Sequence, residues 1–97
     1  MKIKVKFYTK VYSRCNQCDT MKAALIRWSE EHPEHDLEAQ FVSVEDNLGE
    51  VKAKYPTVQS APVVEVTRGR NTAMVSGNNP DILEDLLSGL DSVWDDL

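Results

Sequence analysis

The only two cysteines of this 97-residue chain, Cys15 and Cys18, are separated by two residues. They follow a run with strand-like alternation and precede a run with helical periodicity. A helix start presents unpaired backbone N–H groups and the positive end of the helix dipole, which favour a thiolate on the first cysteine. Cys15 is therefore predicted to attack a substrate disulfide, and Cys18 to resolve the mixed disulfide by closing an intramolecular one.

Two other uses of the cysteine pair compete with redox chemistry. A static disulfide would close so small a loop that it would constrain little of the unfolded chain. A zinc site would need His32 and His35 as further ligands. A helix over residues 19–31 would hold Cys18 and His32 on the order of 20 Å apart, whereas zinc ligands lie about 2 Å from one ion. The histidines are instead predicted to be solvated loop residues beside Pro33.

Length and composition restrict the class of protein. A chain of 97 residues with a hydrophobic fraction of 41% is expected to form one domain with one core. Its net charge of −5 argues against general nucleic-acid binding, and no apolar run reaches membrane-spanning length. The start alternates where a signal peptide would be continuously apolar, so a reducing cytoplasm is the expected compartment. A monomer without membrane or nucleic-acid partners is expected as well.

Charge is distributed unevenly along the chain. Residues 1–28 carry seven Lys or Arg and one acid, whereas residues 76–97 carry six acids and no base. A positive field beside the thiols, including Arg14, would favour the Cys15 thiolate and steer an acidic partner. The alternative is that both segments are ordinary solvated faces. Tyr8 and Tyr12 are further candidates for the walls of the site.

The first half of the chain predicts two strands joined by a helix. Residues 2–8 alternate between apolar and mostly basic side chains, which is the period of a strand. Apolar residues then recur at helical spacing from Met21 to Trp28, and Pro33 limits this helix to about Glu31 or His32. Alternation resumes over residues 37–44 and indicates the second strand.

The second half predicts a short helix and a hairpin. Asp46 or Asn47 is suited to cap the helix, Gly49 weakens it and Pro56 stops it. Residues 63–67 and 72–75 then read as two antiparallel strands, because the residues between them have turn chemistry.

The chain is predicted to close with a third helix. Asn79 is suited to its N-cap, Pro80 to its first residue and Gly89 to its end, which leaves residues 88–97 as an acidic extension. The full order, β-α-β-α-β-β-α, predicts an α/β domain over residues 1–97. Two parallel strands joined by a right-handed crossover and an antiparallel hairpin would form a four-stranded mixed sheet with helices on both faces.

Three motifs make the chain resemble a glutaredoxin-like member of the thioredoxin fold over residues 2–88. They are Tyr8-Thr9-Lys10 before the cysteine pair, Ala61-Pro62-Val63-Val64, which resembles the family's cis-proline segment, and Ser76-Gly77 followed by Pro80-Asp81. Within that class, Gln17 and residues 62–64 and 76–82 are most similar to the NrdH redoxins. Two departures stand out: the connection from Lys10 to Cys15 is about two residues longer than usual, and Asn78 replaces the aromatic or glycine that commonly follows Ser-Gly.

The resemblance implies a thiol-disulfide oxidoreductase that reduces protein disulfides, with ribonucleotide reductase as substrate and thioredoxin reductase as electron donor. It implies a cis peptide before Pro62 that lets the Ala61 backbone pair with the substrate chain, although the residues alone leave a trans proline open. No cofactor or metal is required beyond the cysteine pair. The substrate-binding residues would be Tyr8, Lys10, Arg14, Gln17, Ala61, Pro62, Gly77 and Asn78.

Two alternatives accompany this hypothesis. The first is a glutathione-dependent glutaredoxin, in which Lys10 or Arg14 binds a glutathione carboxylate. The second is a binding module whose dithiol coordinates a metal or an iron–sulfur cluster between two chains.

Overall fold

A computed structural model describes residues 2–89. Within them the chain forms strands and helices in the predicted order. The elements are β1 Lys2–Thr9, α1 Asn16–Glu31, β2 Asp36–Ser43, α2 Leu48–Lys54, β3 Val63–Arg68, β4 Asn71–Ser76 and α3 Pro80–Ser88. The acidic extension predicted for residues 88–97 lies outside the described residues from position 90 onward.

The strands form one mixed sheet in the order β2-β1-β3-β4. Strand β1 pairs in parallel with β2 and antiparallel with β3, and β3 pairs antiparallel with β4, as the sequence predicts. Near the end of β1, Tyr8 is opposite Val42 on one side and Val63 on the other, and Val63 is opposite Ser76. The ends of β1, β2 and β4 and the start of β3 therefore meet at one edge of the sheet.

The main core lies between the sheet and the helices α1 and α3. Alternation along β1 sends every second side chain to this face, where it meets the apolar stripes of the two helices. The buried residues of this cluster are Ile3, Val5, Phe7, Met21, Ala24, Leu25, Trp28, Val64, Val66, Ala73, Val75, Leu83, Leu86 and Leu87.

A smaller core lies on the other face of the sheet, under α2. Tyr8 and Val63 of the sheet pack there with Val51 of α2 and with the loop residues Val44 and Val58. Helix α2 has seven residues and is therefore only about 10 Å long. It covers this face at the edge where the strand ends meet, and charged strand residues stay exposed beyond it.

Helix boundaries follow the proline and glycine signals, but two predicted side-chain caps are absent from the described helices. Helix α1 ends at Glu31 before Pro33. Asn47 is the N-cap of α2 without a side-chain capping bond, since its amide nitrogen donates to the Ser43 carbonyl 2.8 Å away. Asn79 likewise precedes α3 while its amide donates to the Ser76 carbonyl at 2.7 Å. In both cases the Asn side chain bonds a carbonyl at the end of the preceding strand and makes no capping bond to the helix.

The prediction of solvated histidines is wrong. The His32 ring stacks on Trp28 with ring centroids 4.2 Å apart, and the His35 ring lies 5.4 Å from the same indole. Both histidines are half-buried. His32 is the C-cap of α1, four residues after Trp28, and the turn at Pro33 brings His35 back onto the same indole. Between residues 2 and 89, no three His, Cys, Asp or Glu side chains are grouped as metal ligands, and none of the three helices has the length and hydropathy needed to cross a bilayer.

Candidate active site at the end of the first strand

The two cysteines lie at the start of α1 and form a disulfide. Cys15 is the N-cap of the helix, with φ −143° and ψ 96°, and Cys18 is in the first turn, with the two Cα atoms 5.2 Å apart. The backbone N–H of Cys18 donates to the Cys15 sulfur at 3.1 Å. The sulfur therefore takes the place of the Ser or Asp oxygen that usually satisfies an orphan donor at a helix start.

The two sulfurs differ in access. Cys18 is 2% exposed because it faces the core, whereas Cys15 is half-buried at the surface end of the helix. A molecule in solution can therefore reach the Cys15 sulfur more readily than the Cys18 sulfur. The structure thus gives the pair the accessibility expected of an attacking and a resolving thiol.

The loop between β1 and Cys15 is tied to the two acids that follow β2. A Glu45 carboxylate oxygen accepts the N–H of Val11 at 2.7 Å, and the same carboxylate accepts from the Tyr12 N–H and the Ser13 hydroxyl at 3.3 Å. The Tyr12 hydroxyl donates to Asp46 at 2.7 Å. This hydrogen bond raises the pKa of Tyr12 above its ordinary value, because ionisation would set a phenolate against a carboxylate.

Glu45 and Asp46 are the site residues that the sequence analysis missed. Asp46 was considered only as a helix cap. The signal that could have found them is their position directly beyond β2, because β1 and β2 are parallel and their carboxyl ends lie side by side at one edge of the sheet.

The segment around Pro62 leads into β3 beside the end of β1, where Val63 pairs with Tyr8. The Ala61–Pro62 peptide is cis, as the resemblance implied. The Pro62 carbonyl accepts the N–H of Gly77 at 3.0 Å. Gly77 is buried with φ +71°, and a Cβ there would lie 3.5 Å from the Ser60 Cβ. The end of β4 therefore packs closely against the approach to β3, with glycine at a left-handed position.

A cavity of about 230 Å³ opens between α2 and the approach to β3. Its walls are mainly aliphatic, and Lys52 at its rim donates to the Val58 carbonyl at 2.6 Å. Lys10 and Ala61 both line it, so two of the predicted substrate-binding residues share one surface. The lining residues are Lys10, Val44, Glu45, Leu48, Val51, Lys52, Val58, Gln59, Ser60, Ala61 and Val63.

One predicted substrate contact is wrong. Tyr8 is fully buried in the smaller core, and the Lys6 ammonium lies 5.0 Å from its ring centroid. Its side chain therefore supports the site from beneath and does not reach a substrate. The side chains of Arg14, Gln17 and Asn78 are exposed.

Several solved thioredoxins are similar to this chain. Mitochondrial thioredoxin 3 of Saccharomyces cerevisiae, in its oxidised form, matches with a TM-score of 0.67 and 19% identity over 91% of this chain and 78% of its own. The thioredoxin of Trypanosoma brucei brucei matches with a TM-score of 0.62 and 24% identity, over 93% of this chain and 75% of its own. The thioredoxin of Fasciola hepatica matches with a TM-score of 0.63 and 24% identity, over 91% of this chain and 80% of its own. No family model matches the sequence, and no curated protein matches it.

These similarities confirm the fold expected from the sequence. Identity of 24% or less carries the backbone architecture alone, so the narrower resemblance to NrdH redoxins and glutaredoxins remains a hypothesis from the motifs. The chain has the thioredoxin fold, with a Cys15–Cys18 disulfide at the start of its first helix.

Proposed function

We propose that the protein is a thiol-disulfide oxidoreductase that reduces protein disulfides. The observation that carries this proposal is the paired placement of the two sulfurs: Cys15 is reachable and bonded to a helix-start N–H, and Cys18 is buried directly behind it. The thioredoxin fold supports this chemistry by analogy.

The reaction begins with both cysteines reduced. The Cys15 thiolate attacks one sulfur of the substrate disulfide, a Cys15–substrate disulfide forms, and the other substrate sulfur leaves as a thiolate that takes up a proton. The Cys18 thiol then loses its proton and attacks the Cys15 sulfur. The second substrate sulfur leaves as a thiolate and takes up a proton, and the Cys15–Cys18 disulfide closes. Two electrons have passed from the protein to the substrate. The two protons on the substrate thiols balance the one that Cys18 loses and the one that Cys15 released to solvent on forming its thiolate.

The helix start favours the first step. The N–H of Cys18 and the positive end of the helix dipole stabilise a negative sulfur at position 15 more than a neutral one. The Ala61 backbone, which lines the same cavity as Lys10, is suited to pair with an extended substrate chain.

We further propose ribonucleotide reductase as the substrate and thioredoxin reductase as the donor, in a reducing compartment such as the cytoplasm. This narrower assignment is supported by the resemblance of Gln17, residues 62–64 and residues 76–82 to the NrdH redoxins. A glutathione-dependent activity is the second candidate, because Lys10 lines the cavity beside Ala61 and presents a cation there.

The test follows NADPH oxidation with a disulfide substrate and two donor systems. One contains thioredoxin reductase, and the other contains glutathione and its reductase. Turnover with thioredoxin reductase alone supports the NrdH-like assignment. Turnover with glutathione and its reductase alone supports the assignment as a glutathione-dependent glutaredoxin. Cys15→Ser should abolish either activity. Failure with both donors, or activity that survives Cys15→Ser, would refute the oxidoreductase, and metal analysis of the purified protein would then test the metal-binding alternative.

A further inference from the structure

Tyr12 is exposed although it is held at both ends. Its side chain is 71% exposed, and the neighbouring Val11 is 54% exposed. An aromatic residue that served only to pack the loop would bury its ring, because that burial is the main energy it can contribute. Here the ring stays in solvent, and the adjacent apolar side chain stays there with it.

The contacts to Tyr12 fix its position without covering its ring. Glu45 accepts from its backbone N–H, and Asp46 accepts from its hydroxyl at 2.7 Å. The hydroxyl is thereby satisfied within the protein, so the apolar ring faces are what remains for a partner. A side chain that is ordered before binding loses less conformational entropy on binding, which is the property of an effective contact residue.

The loop also places Tyr12 next to the chemistry. Tyr12 precedes Cys15 by three residues, so their Cα atoms are separated by no more than about 11 Å. A disulfide that reaches the Cys15 sulfur within a folded protein brings neighbouring chain to this distance. A small disulfide has no polypeptide chain to lay on the Tyr12 ring.

We propose that Tyr12 is a specificity-determining contact that favours protein disulfides over small ones, and that Glu45 and Asp46 are positioning residues acting through it. The proposal rests on the oxidoreductase function above. The partner is a polypeptide that lays an apolar side chain on the Tyr12 ring beside Val11 while its disulfide is at Cys15.

The experiment measures single turnovers of the fully reduced protein, so that it needs no electron donor. Reduced protein freed of reductant is mixed with excess insulin or with bis(2-hydroxyethyl) disulfide, and the remaining thiols are alkylated and counted by mass. The readout is the ratio of the two second-order rate constants. Tyr12→Ala should lower the insulin-to-small-disulfide ratio about fivefold to tenfold, which corresponds to one interface contact worth about 1 to 1.4 kcal/mol.

The positioning role has its own readout. Glu45→Gln keeps the side-chain size but replaces one accepting oxygen with a donor, and it should lower the ratio about threefold. In the double variant with Tyr12→Ala, Glu45→Gln should lower the ratio further by less than about twofold, because the Tyr12 ring that Glu45 positions is already absent. The matched control is Glu38→Gln, whose carboxylate lies 3.5 Å from Lys2 at the opposite end of the sheet and should leave the ratio unchanged.

The outcomes separate this inference from the proposed function. If the wild-type protein reduces neither disulfide, both the oxidoreductase function and the role of Tyr12 as a specificity-determining contact are refuted. If it reduces both disulfides and Tyr12→Ala changes the ratio of rate constants less than about twofold, only the role of Tyr12 is refuted. Additive effects of Tyr12→Ala and Glu45→Gln would show that Glu45 does not act through Tyr12.

Discussion

The backbone nitrogen of Cys18 lies 3.1 Å from the sulfur of Cys15. The donor belongs to the first turn of α1, so its position is set by the helix and not by the disulfide. When the disulfide opens, the same N–H can serve a thiolate, and a hydrogen bond to a charged acceptor is about twice as strong as one to a neutral acceptor. The reduced form of the site is therefore supported by backbone that is already ordered.

Alkylation of the reduced protein should distinguish the two cysteines. Iodoacetamide should modify Cys15 at least about tenfold faster than Cys18 at neutral pH, because thiolate character and access both favour the first sulfur. Cys18 is 2% exposed and meets the reagent only when the helix start opens. Peptide mass spectrometry after short exposures measures both rates. Equal rates would contradict the assignment of roles.

Replacing each cysteine should stop the reaction at a different stage. Cys18→Ser should accumulate a mixed disulfide between Cys15 and a protein substrate, because no thiol remains to release it. Cys15→Ser should form almost none. Non-reducing electrophoresis followed by intact mass gives the yield of each adduct, and a greater yield from Cys15→Ser would reverse the roles proposed here.

Substitution of Gly77 should affect both stability and activity. Gly77→Ala forces a left-handed residue with φ +71° to carry a Cβ, at a cost of about 1 to 2 kcal/mol in the free energy of unfolding. The matched control is Gly69→Ala, with φ +62° and open space around the added Cβ. Both variants should lose stability in urea denaturation, and only Gly77→Ala should lower the rate of insulin reduction. A loss of activity in both would show that activity follows stability and not the packing of Gly77 against Ser60 and Pro62.

The hydroxyl of Tyr55 should make stability depend on pH in alkaline solution. Burial and its hydrogen bond to Glu65 both raise the pKa of Tyr55 above 10.0. Its contribution is complete below pH 10.0 and is lost as the pH rises further, because the unfolded chain ionises first.

Tyr55→Phe tests this dependence. The variant should lose about 1 to 2 kcal/mol at pH 7, because Glu65 is 8% exposed and loses a hydrogen-bond donor. The difference between wild type and variant should shrink above pH 10.0. Urea denaturation from pH 7 to 11 measures it, and a difference that stays constant would contradict the linkage.

Local patterns predicted the elements because each one follows a simple rule. The alternation of residues 2–8 and the spacing from Met21 to Trp28 depend only on which face of an element meets the core. The cysteine pair was identified for the same reason, since its chemistry depends on two residues within one turn of helix.

The errors concern contacts that depend on how elements pack and where a turn leads the chain, and these leave no local period in the sequence. Tyr8 was predicted to line the site, and its burial depends on α2, which is forty residues further along. His35 was predicted to be solvated, and the turn at Pro33 brings it back onto Trp28. Glu45 was overlooked because its carboxylate is recognised by backbone N–H groups, which carry no signal in the sequence.

Strand β2 is an outer strand of the sheet and pairs only with β1, whereas β1 is paired on both sides. The loop that carries Tyr12 follows β1, and Glu45, which accepts the hydrogen bond from the Tyr12 N–H, follows the edge strand β2. Edge strands open in local fluctuations that leave the central pairing intact. The amide hydrogens of Val11 and Tyr12 should then exchange with solvent at the rate at which the edge opens, well before global unfolding. The loop between β1 and Cys15 thus has a local stability of its own, which can change while the global stability of the fold stays the same.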